Sequence, residues 1–357
     1  MKAMIGMSGG VDSSVAAYLM QKAGYECLGA TMSLYTGQDG APCNADASSD
    51  ARNVCQRIGI DFHILDASDS FQKLVMDHFA ESYRQGLTPN PCIECNRHLK
   101  FGYFLQCARN LGCEYIVTGH YARIHALPSG RFCLQKAVDS DKDQSYFLYT
   151  MTQDQLAHTQ FPLGGLTKAE VRQIAQEQGF LNARKRDSQD ICFVPDGDYL
   201  AFLERYTGES AQSGDFLDQS GKVVGRHRGA VGYTCGQRKG LGLAMGAPVY
   251  VCSKDMAANT VTIGPNEALF HRNLIACDWN WMAIEPPVSP IRCKAKVRSR
   301  MTEQDATVYP AENGEYRVCF DAPQRAITTG QAVVLYDGDL LLGGGTITAV
   351  CPREDDQ

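Results

Sequence analysis

No run in the 357-residue chain approaches the eighteen or so apolar residues of a membrane helix, so no membrane partner is expected. Neither GxxxxGK followed by Ser or Thr nor GxGxxG occurs, which sets aside the P-loop and the dinucleotide fingerprint. Cys-x-x-Cys occurs only at Cys92 and Cys95, so a four-cysteine structural zinc site lacks its second half. Positive charge is in deficit: 34 Lys and Arg against 40 Asp and Glu give a net charge of −6. That argues against wholesale nucleic-acid affinity and leaves room for local basic surfaces. No leader-like segment, internal repeat or low-complexity tract is evident. Fifteen cysteines, an odd number, then point to a reducing cytoplasm and to thiol or metal chemistry rather than a disulfide framework.

What the chain does contain is organised around residues 4–14. An apolar run from Lys2 to Met7 passes into Ser8-Gly9-Gly10, and a helical pattern follows with Val11, Val15, Ala16, Leu19 and Met20 on one face. Gly24 stands where a helix needs its C-cap. Strand, glycine turn and helix together aim backbone N–H groups and a helix N-terminus at one anion. Ser8, Ser13 and Ser14 add hydroxyls, and Asp12, beside a polyphosphate, is suited to hold Mg2+. The order resembles SGGxDS, the pyrophosphate loop of the ATP pyrophosphatases, which split ATP and leave AMP on a substrate oxygen.

Strand-like runs at 25–33, 60–65 and 114–117 alternate with helical patterns at 49–58, 71–85 and 101–111. The class expected is α/β, with an N-terminal doubly wound parallel sheet. Ligands of such sheets bind at the carboxyl ends of the strands, where Ser8 to Ser13, Met32 and Gly119-His120 all fall. A hairpin is expected around 128–130, and Thr167-x-x-Glu170 reads as a capping box. Short β-like runs suggest a small α/β central domain and a C-terminal β-barrel. The division expected is 1–196, 197–268 and 269–357.

Pro89-Asn90-Pro91-Cys92-Ile93-Glu94-Cys95 reads as a rigid two-proline loop presenting two thiols. Cys192 follows Arg184-Lys185-Arg186, whose charge favours thiolate; the competing reading is a small buried hydrophobe beside Ile191 and Phe193. Cys27, Cys55, Cys107, Cys113, Cys133, Cys277, Cys293 and Cys319 fall in core-like positions. Residues 292–300 alternate so that, as one strand, Arg292, Lys294, Lys296, Arg298 and Arg300 form a basic face for a phosphate backbone.

Together, Gly6 to Ser14, Thr88 to Pro91 with Cys95-Asn96, Thr118 to Tyr121, Lys142 to Leu148, Asp187-Ser188 with Ile191 to Phe193, Gly236 to Gly242 and Gly343 to Gly345 resemble the bacterial tRNA-specific 2-thiouridylases over nearly the whole chain. The resemblance implies an adenine-nucleotide α-hydrolase-like fold and ATP-dependent 2-thiolation of the wobble uridine of tRNA. ATP would be bound by Gly6, Met7, Ser8, Gly9, Gly10, Val11, Asp12, Ser13, Met32 and Gly119. Cys95 would be the nucleophile and Cys192 the persulfide carrier, loaded by a cysteine desulfurase or relay protein. Asn90, Pro91 and Cys92 would approach the base with His120 beside it, and Lys142, Asp143, Gln144, Arg298, Ser299 and Gln331 would contact tRNA. Cys92 stands where many members have Asp, and Ser299 where others have Tyr.

Three rivals remain at this stage. Cys92, Cys95 and Cys192 could hold an iron–sulfur cluster with one open iron. The chain could be another ATP pyrophosphatase acting on a small metabolite, or a non-catalytic RNA-binding protein.

Overall fold

The computed structural model of the protein describes residues 1–35, 45–185 and 191–351. The first elements are β1 (Lys2–Gly6), α1 (Val11–Lys22), β2 (Glu26–Ser33), α2 (Ala45–Ile58) and β3 (Asp61–Asp66). Two long helical stretches follow, 68–84 and 91–110, before β4 (Tyr115–Val117). The predicted hairpin forms as β5 (Arg123–Ala126) and β6 (Phe132–Gln135), and β7 (Thr159–Gln160) completes the first sheet. That sheet is parallel throughout, in the order β3-β2-β1-β4-β7. The chain leaves β1 for β2 and β3 on one side and returns with β4 on the other. The β1/β4 boundary is therefore the switch point where a doubly wound sheet opens a ligand crevice.

Ala3, Met4 and Ile5 in β1 are fully buried, as a central parallel strand covered on both faces must be. α1 buries Val11, Val15, Ala16 and Met20 against the sheet. It ends as predicted: Gly24 takes φ +86°, and Tyr25 N–H donates to Met20 O at 3.2 Å, satisfying an end carbonyl.

A helix at Tyr199–Thr207, capped by Asp198, leads into β8 (Gly214–Leu217), β9 (Val223–His227), β10 (Tyr250–Asp255) and β11 (Thr260–Gly264). These form a four-stranded sheet over a small core of Phe216, Val251, Val261 and Ile263. The last region is β12 (Phe270–Trp281), β13 (Ile291–Lys296), β14 (Gln304–Pro310), β15 (Tyr316–Arg325), β16 (Ala332–Asp337) and β17 (Leu340–Val350). Pairing of β12 with β17 closes these six into a barrel, which removes its sheet edges. Gly343-Gly344-Gly345 belongs to this packing: a Cβ on Gly344 would come within 2.6 Å of the Tyr149 ring.

The first and last regions share one core, with Met4, Phe104 and Ile116 continuous with Val318, Val334 and Leu335. Buried Tyr146 donates its hydroxyl to Ala332 O at 2.9 Å, and Ser145 Oγ meets the Tyr336 hydroxyl at 3.1 Å. The segment carrying Lys142 to Gln144 is thereby tied to the barrel.

Two sequence expectations are corrected. The two-cysteine segment is helical: Pro91 occupies the first helical position, where its missing N–H costs nothing, and the Asn90 side chain accepts from Cys92 N–H at 3.2 Å. The basic strand ends at Lys296, and 297–300 turn away from it. Of the cysteines expected inside, Cys55, Cys113, Cys133 and Cys293 are buried, whereas Cys27, Cys107, Cys277 and Cys319 are half-buried.

Candidate active site

The glycine turn after β1 is shaped in part by its own residues. Gly9 takes φ +70°, and a Cβ there would lie 2.3 Å from Ala47 O, so only glycine serves. Ser8 N–H donates to Ser13 Oγ at 3.2 Å, and Ser13 Oγ and Ser14 Oγ each donate to Gly10 O at 3.0 Å. Gly10 caps α1 without any side-chain bond, so the first N–H groups of the helix are directed into the crevice as an anion site. Met7 and Val11 are buried and can reach a nucleotide only through their backbone. Gly119, past the end of β4, meets the start of α1 so closely that a Cβ would lie 2.8 Å from Ser13 N. Gly6 ends β1 and Met32 sits near the end of β2, both at the carboxyl edge of the sheet.

Sequence reading missed three residues that brace this loop. Asn182 donates from Nδ2 to Gly9 O at 3.1 Å and to Ser14 Oγ at 2.9 Å. Lys168 Nζ lies 2.7 and 2.8 Å from the two oxygens of Asp12, and the Tyr121 hydroxyl donates to Asp12 at 2.8 Å. The capping box around Lys168 was legible, but a partner 156 residues away leaves no local signal. Asp12 is thus engaged by an ammonium at both oxygens and is not set up as the Mg2+ ligand the sequence suggested.

A cleft of about 1720 Å³ runs from this loop. Ser8, Gly10 and Asp12 line one part, Cys92, Cys95 and Cys192 another, and Lys142, Asp143, Gln144 and Ser299 a third. Cys92 is exposed in the first turn of the 91–110 stretch. Cys95 is only 8 % exposed, among Phe71, Val75, Leu99 and Phe193. Burial pushes the Cys95 thiol up from its ordinary pKa, and the Lys100 ammonium works against that rise. Cys192 is exposed, and its carbonyl accepts from the Tyr35 hydroxyl at 2.8 Å. Neither Cys95 nor Cys192 is in a disulfide. Arg186, Asp187 and Ser188 lie outside the described residues.

Among the described residues no three His, Cys, Asp or Glu side chains come together as a metal-ligand group, so the three cysteines do not fit a cluster in this arrangement. His120 is turned inward: 9 % exposed, packed by Phe101 and Phe161, with Nδ1 2.7 Å from Thr118 Oγ1. Burial, then the Lys100 charge, holds its pKa well below the usual value, so it is neutral at pH 7. It is a core imidazole and does not line the cleft.

The residues expected to contact tRNA divide. Lys142 lines the cleft; Asp143 accepts from Ala137 N–H at 3.0 Å, and Gln144 accepts from Tyr121 N–H at 3.0 Å. Asn90 and Gln331 line a neighbouring cavity of about 810 Å³, and Pro91 borders both spaces. Gln331 Nε2 donates to Thr88 O at 2.7 Å, stitching that loop to the barrel. Arg298 is half-buried and donates to Arg325 O. The basic face is largely neutralised: Arg292 pairs with Asp321 at 2.8 Å, Lys294 with Asp305 at 3.2 Å and Lys296 with Glu303 at 3.8 Å. It is a row of ion pairs, exposed at Arg292 and Lys294 and half-buried at Lys296, not an open cationic stripe. No helix among the described residues is long and apolar enough to cross a membrane.

Family models match along the chain: the tRNA methyl transferase HUP domain over residues 1–196, the tRNA methyl transferase PRC-barrel domain over 200–265 and the aminomethyltransferase β-barrel domain over 271–347. The tRNA-specific 2-thiouridylase MnmA of Clostridium acetobutylicum is 47% identical, with 97% of this chain and 99% of that protein covered. The protein of the same name from Acetivibrio thermocellus is also 47% identical, over 97% and 99% of the two chains. That from Clostridioides difficile is 46% identical, over 97% and 98%. With its glycine loop and its cysteines on one cleft, and with relatives matched nearly end to end, the chain belongs to the tRNA-specific 2-thiouridylase family.

Proposed function

We propose that this protein replaces the C2 oxygen of the wobble uridine of tRNA with sulfur at the expense of ATP. The observation that carries the reading is one cleft bounded by both the phosphate-binding turn and the Cys95 and Cys192 thiols. Uracil C2 is a poor electrophile, because losing its oxygen directly means expelling oxide. Attack of that oxygen on the α-phosphorus of ATP releases pyrophosphate and makes AMP the leaving group. The first-turn N–H groups of α1 hold the phosphates during this step. Mg2+ accompanies ATP on its phosphates in this reading, since Asp12 is committed to Lys168.

The terminal sulfur of a Cys192 persulfide then attacks C2 and AMP departs, leaving Cys192 linked to the base through S–S. The Cys95 thiolate attacks Cys192 Sγ; the sulfur stays on C2, and a Cys95–Cys192 disulfide forms. A thiol reductant resets that pair with two electrons. The exposure of Cys192 suits loading by a cysteine desulfurase or relay protein in the cytoplasm. A base in a single-stranded loop can be splayed out to reach the cleft at little cost. Asn90, Pro91 and Cys92 at its edge would meet that base, Lys142, Ser299 and Gln331 the surrounding RNA, and the division at 1–196, 197–268 and 269–357 goes with this reading.

The test is thiolation of unmodified tRNA by anaerobically purified protein with ATP, Mg2+ and a persulfide donor, with iron counted. Activity without iron that survives Cys92→Ser and disappears with Cys95→Ser and Cys192→Ser is the expected result. Activity that tracks iron and needs all three cysteines would establish a cluster instead.

A further inference from the structure

The helical stretch 91–110 carries four basic side chains, and three are occupied. Arg97 pairs with Asp278 at 2.7 Å, His98 with Glu94 at 3.3 Å and Arg109 with Asp154 at 2.7 Å. Lys100 makes no ion pair among the described residues; it is half-buried and lines the catalytic cleft together with Cys95 and Ser8. The backbone explains the pairing. Residues Cys95–Tyr103 form a π-helical segment, whose hydrogen bonds span five residues, so positions 95 and 100 lie about one wide turn apart and both face the cleft.

Among the described residues, the apolar cluster around Cys95 holds no carboxylate. Phe71 and Val75 face it from the 68–84 stretch and Phe193 from the segment after 190, while Cys92 and Lys100 share its own stretch. Cys192 borders the same cleft, and His120, which burial and the Lys100 charge hold below its usual pKa, is neutral. None of these is a carboxylate; of the carboxylates that line the same cleft, Asp12 is held by Lys168 and Glu303 by Lys136 and Lys296. A thiol in such apolar surroundings stays protonated unless a cation is brought to it.

We propose that Lys100 is a positioning residue for sulfur transfer, its ammonium stabilising the Cys95 thiolate that attacks Cys192 Sγ. The inference rests on the function proposed above. In that step the Cys95 Sγ–Cys192 Sγ bond forms, the bond from Cys192 Sγ to the transferred sulfur breaks, and its electron pair leaves on the sulfur attached to C2. Burial favours the protonated thiol, and the ammonium offsets that, so more of Cys95 is ready to attack when its target arrives.

The test follows alkylation of Cys95 by iodoacetamide against pH, read by peptide mass, in full-length protein carrying Cys92→Ser and Cys192→Ser. Lys100→Met should move the half-point up by about one pH unit, about a tenfold loss of thiolate at neutral pH, and Lys100→Arg should restore most of it. Lys100→Gln, with a melting curve for each variant, separates a charge effect from misfolding. An unchanged half-point in folded Lys100→Met or Lys100→Gln overturns the proposal. The readout needs neither tRNA nor ATP, so failure of the thiolation reading registers separately, in the tRNA assay.

Discussion

Cys95 and Cys192 face one cleft from opposite kinds of structure. Cys95 is fixed on a helix, buried among aromatic and aliphatic side chains, and its thiol is raised by that burial. Cys192 stands exposed on a turn beside Phe193, the residue that anchors this segment in the same apolar cluster. The difference matches the two duties proposed for these thiols. A sulfur carrier must be reached from outside, whereas a resolving thiol must stay in place and react only when its target arrives.

The largest expected effect separates those duties. Cys192→Ser should abolish both persulfide loading and thiolation. Cys95→Ser should also stop turnover but accumulate a Cys192-linked tRNA, visible as a reducible adduct on a denaturing gel. Pyrophosphate release should persist in both. Equal loss without an adduct in Cys95→Ser would erase the distinction.

A smaller effect is expected in reactivity. At neutral pH iodoacetamide should modify Cys192 about ten times faster or more than Cys95, because Cys95 is shielded and burial favours its protonated form. Raising the pH should narrow the gap: a group whose pKa is raised releases its proton later, so Cys95 gains thiolate at values where an ordinary thiol is already ionised. Peptide-resolved mass spectrometry at several pH values checks this.

The smallest effect concerns stability. Cys95→Ala removes a buried sulfur from a packed cluster and should cost about 1 kcal/mol in urea unfolding. Cys192→Ala, at an exposed turn, should stay within about 0.5 kcal/mol of wild type. A larger cost for Cys192 would mean that its turn is structural.

Much of the phosphate-binding half was legible because its determinants are local. Ser8 to Ser14 close their hydrogen bonds within five residues, and Gly9 and Gly24 sit where the backbone demands positive φ. The hairpin at 128–130 and the capping box at Thr167 are equally short-range. The cysteine segment misled because two prolines read as a loop, although Pro91 at a helix start is tolerated by the same chemistry that makes it a breaker elsewhere. The basic alternation misled because the sequence of β13 does not reveal Asp305 on β14 or Asp321 on β15. His120 lies near the sheet edge that binds ligands, yet the fold turned its ring into the core.

The sequence by itself determined the α/β start, the glycine turn with its helix, the barrel-forming strands and the thiols available for chemistry, since each follows from spacing or residue type. Only the tertiary structure decided that Lys168 and Asn182 brace the turn, that the basic face is neutralised, and that Lys100 shares the cleft with Cys95 while making no ion pair among the described residues. Such pairings join residues far apart in the chain. Their energy depends on distance and burial in the folded state, and neither is written in the order of the residues.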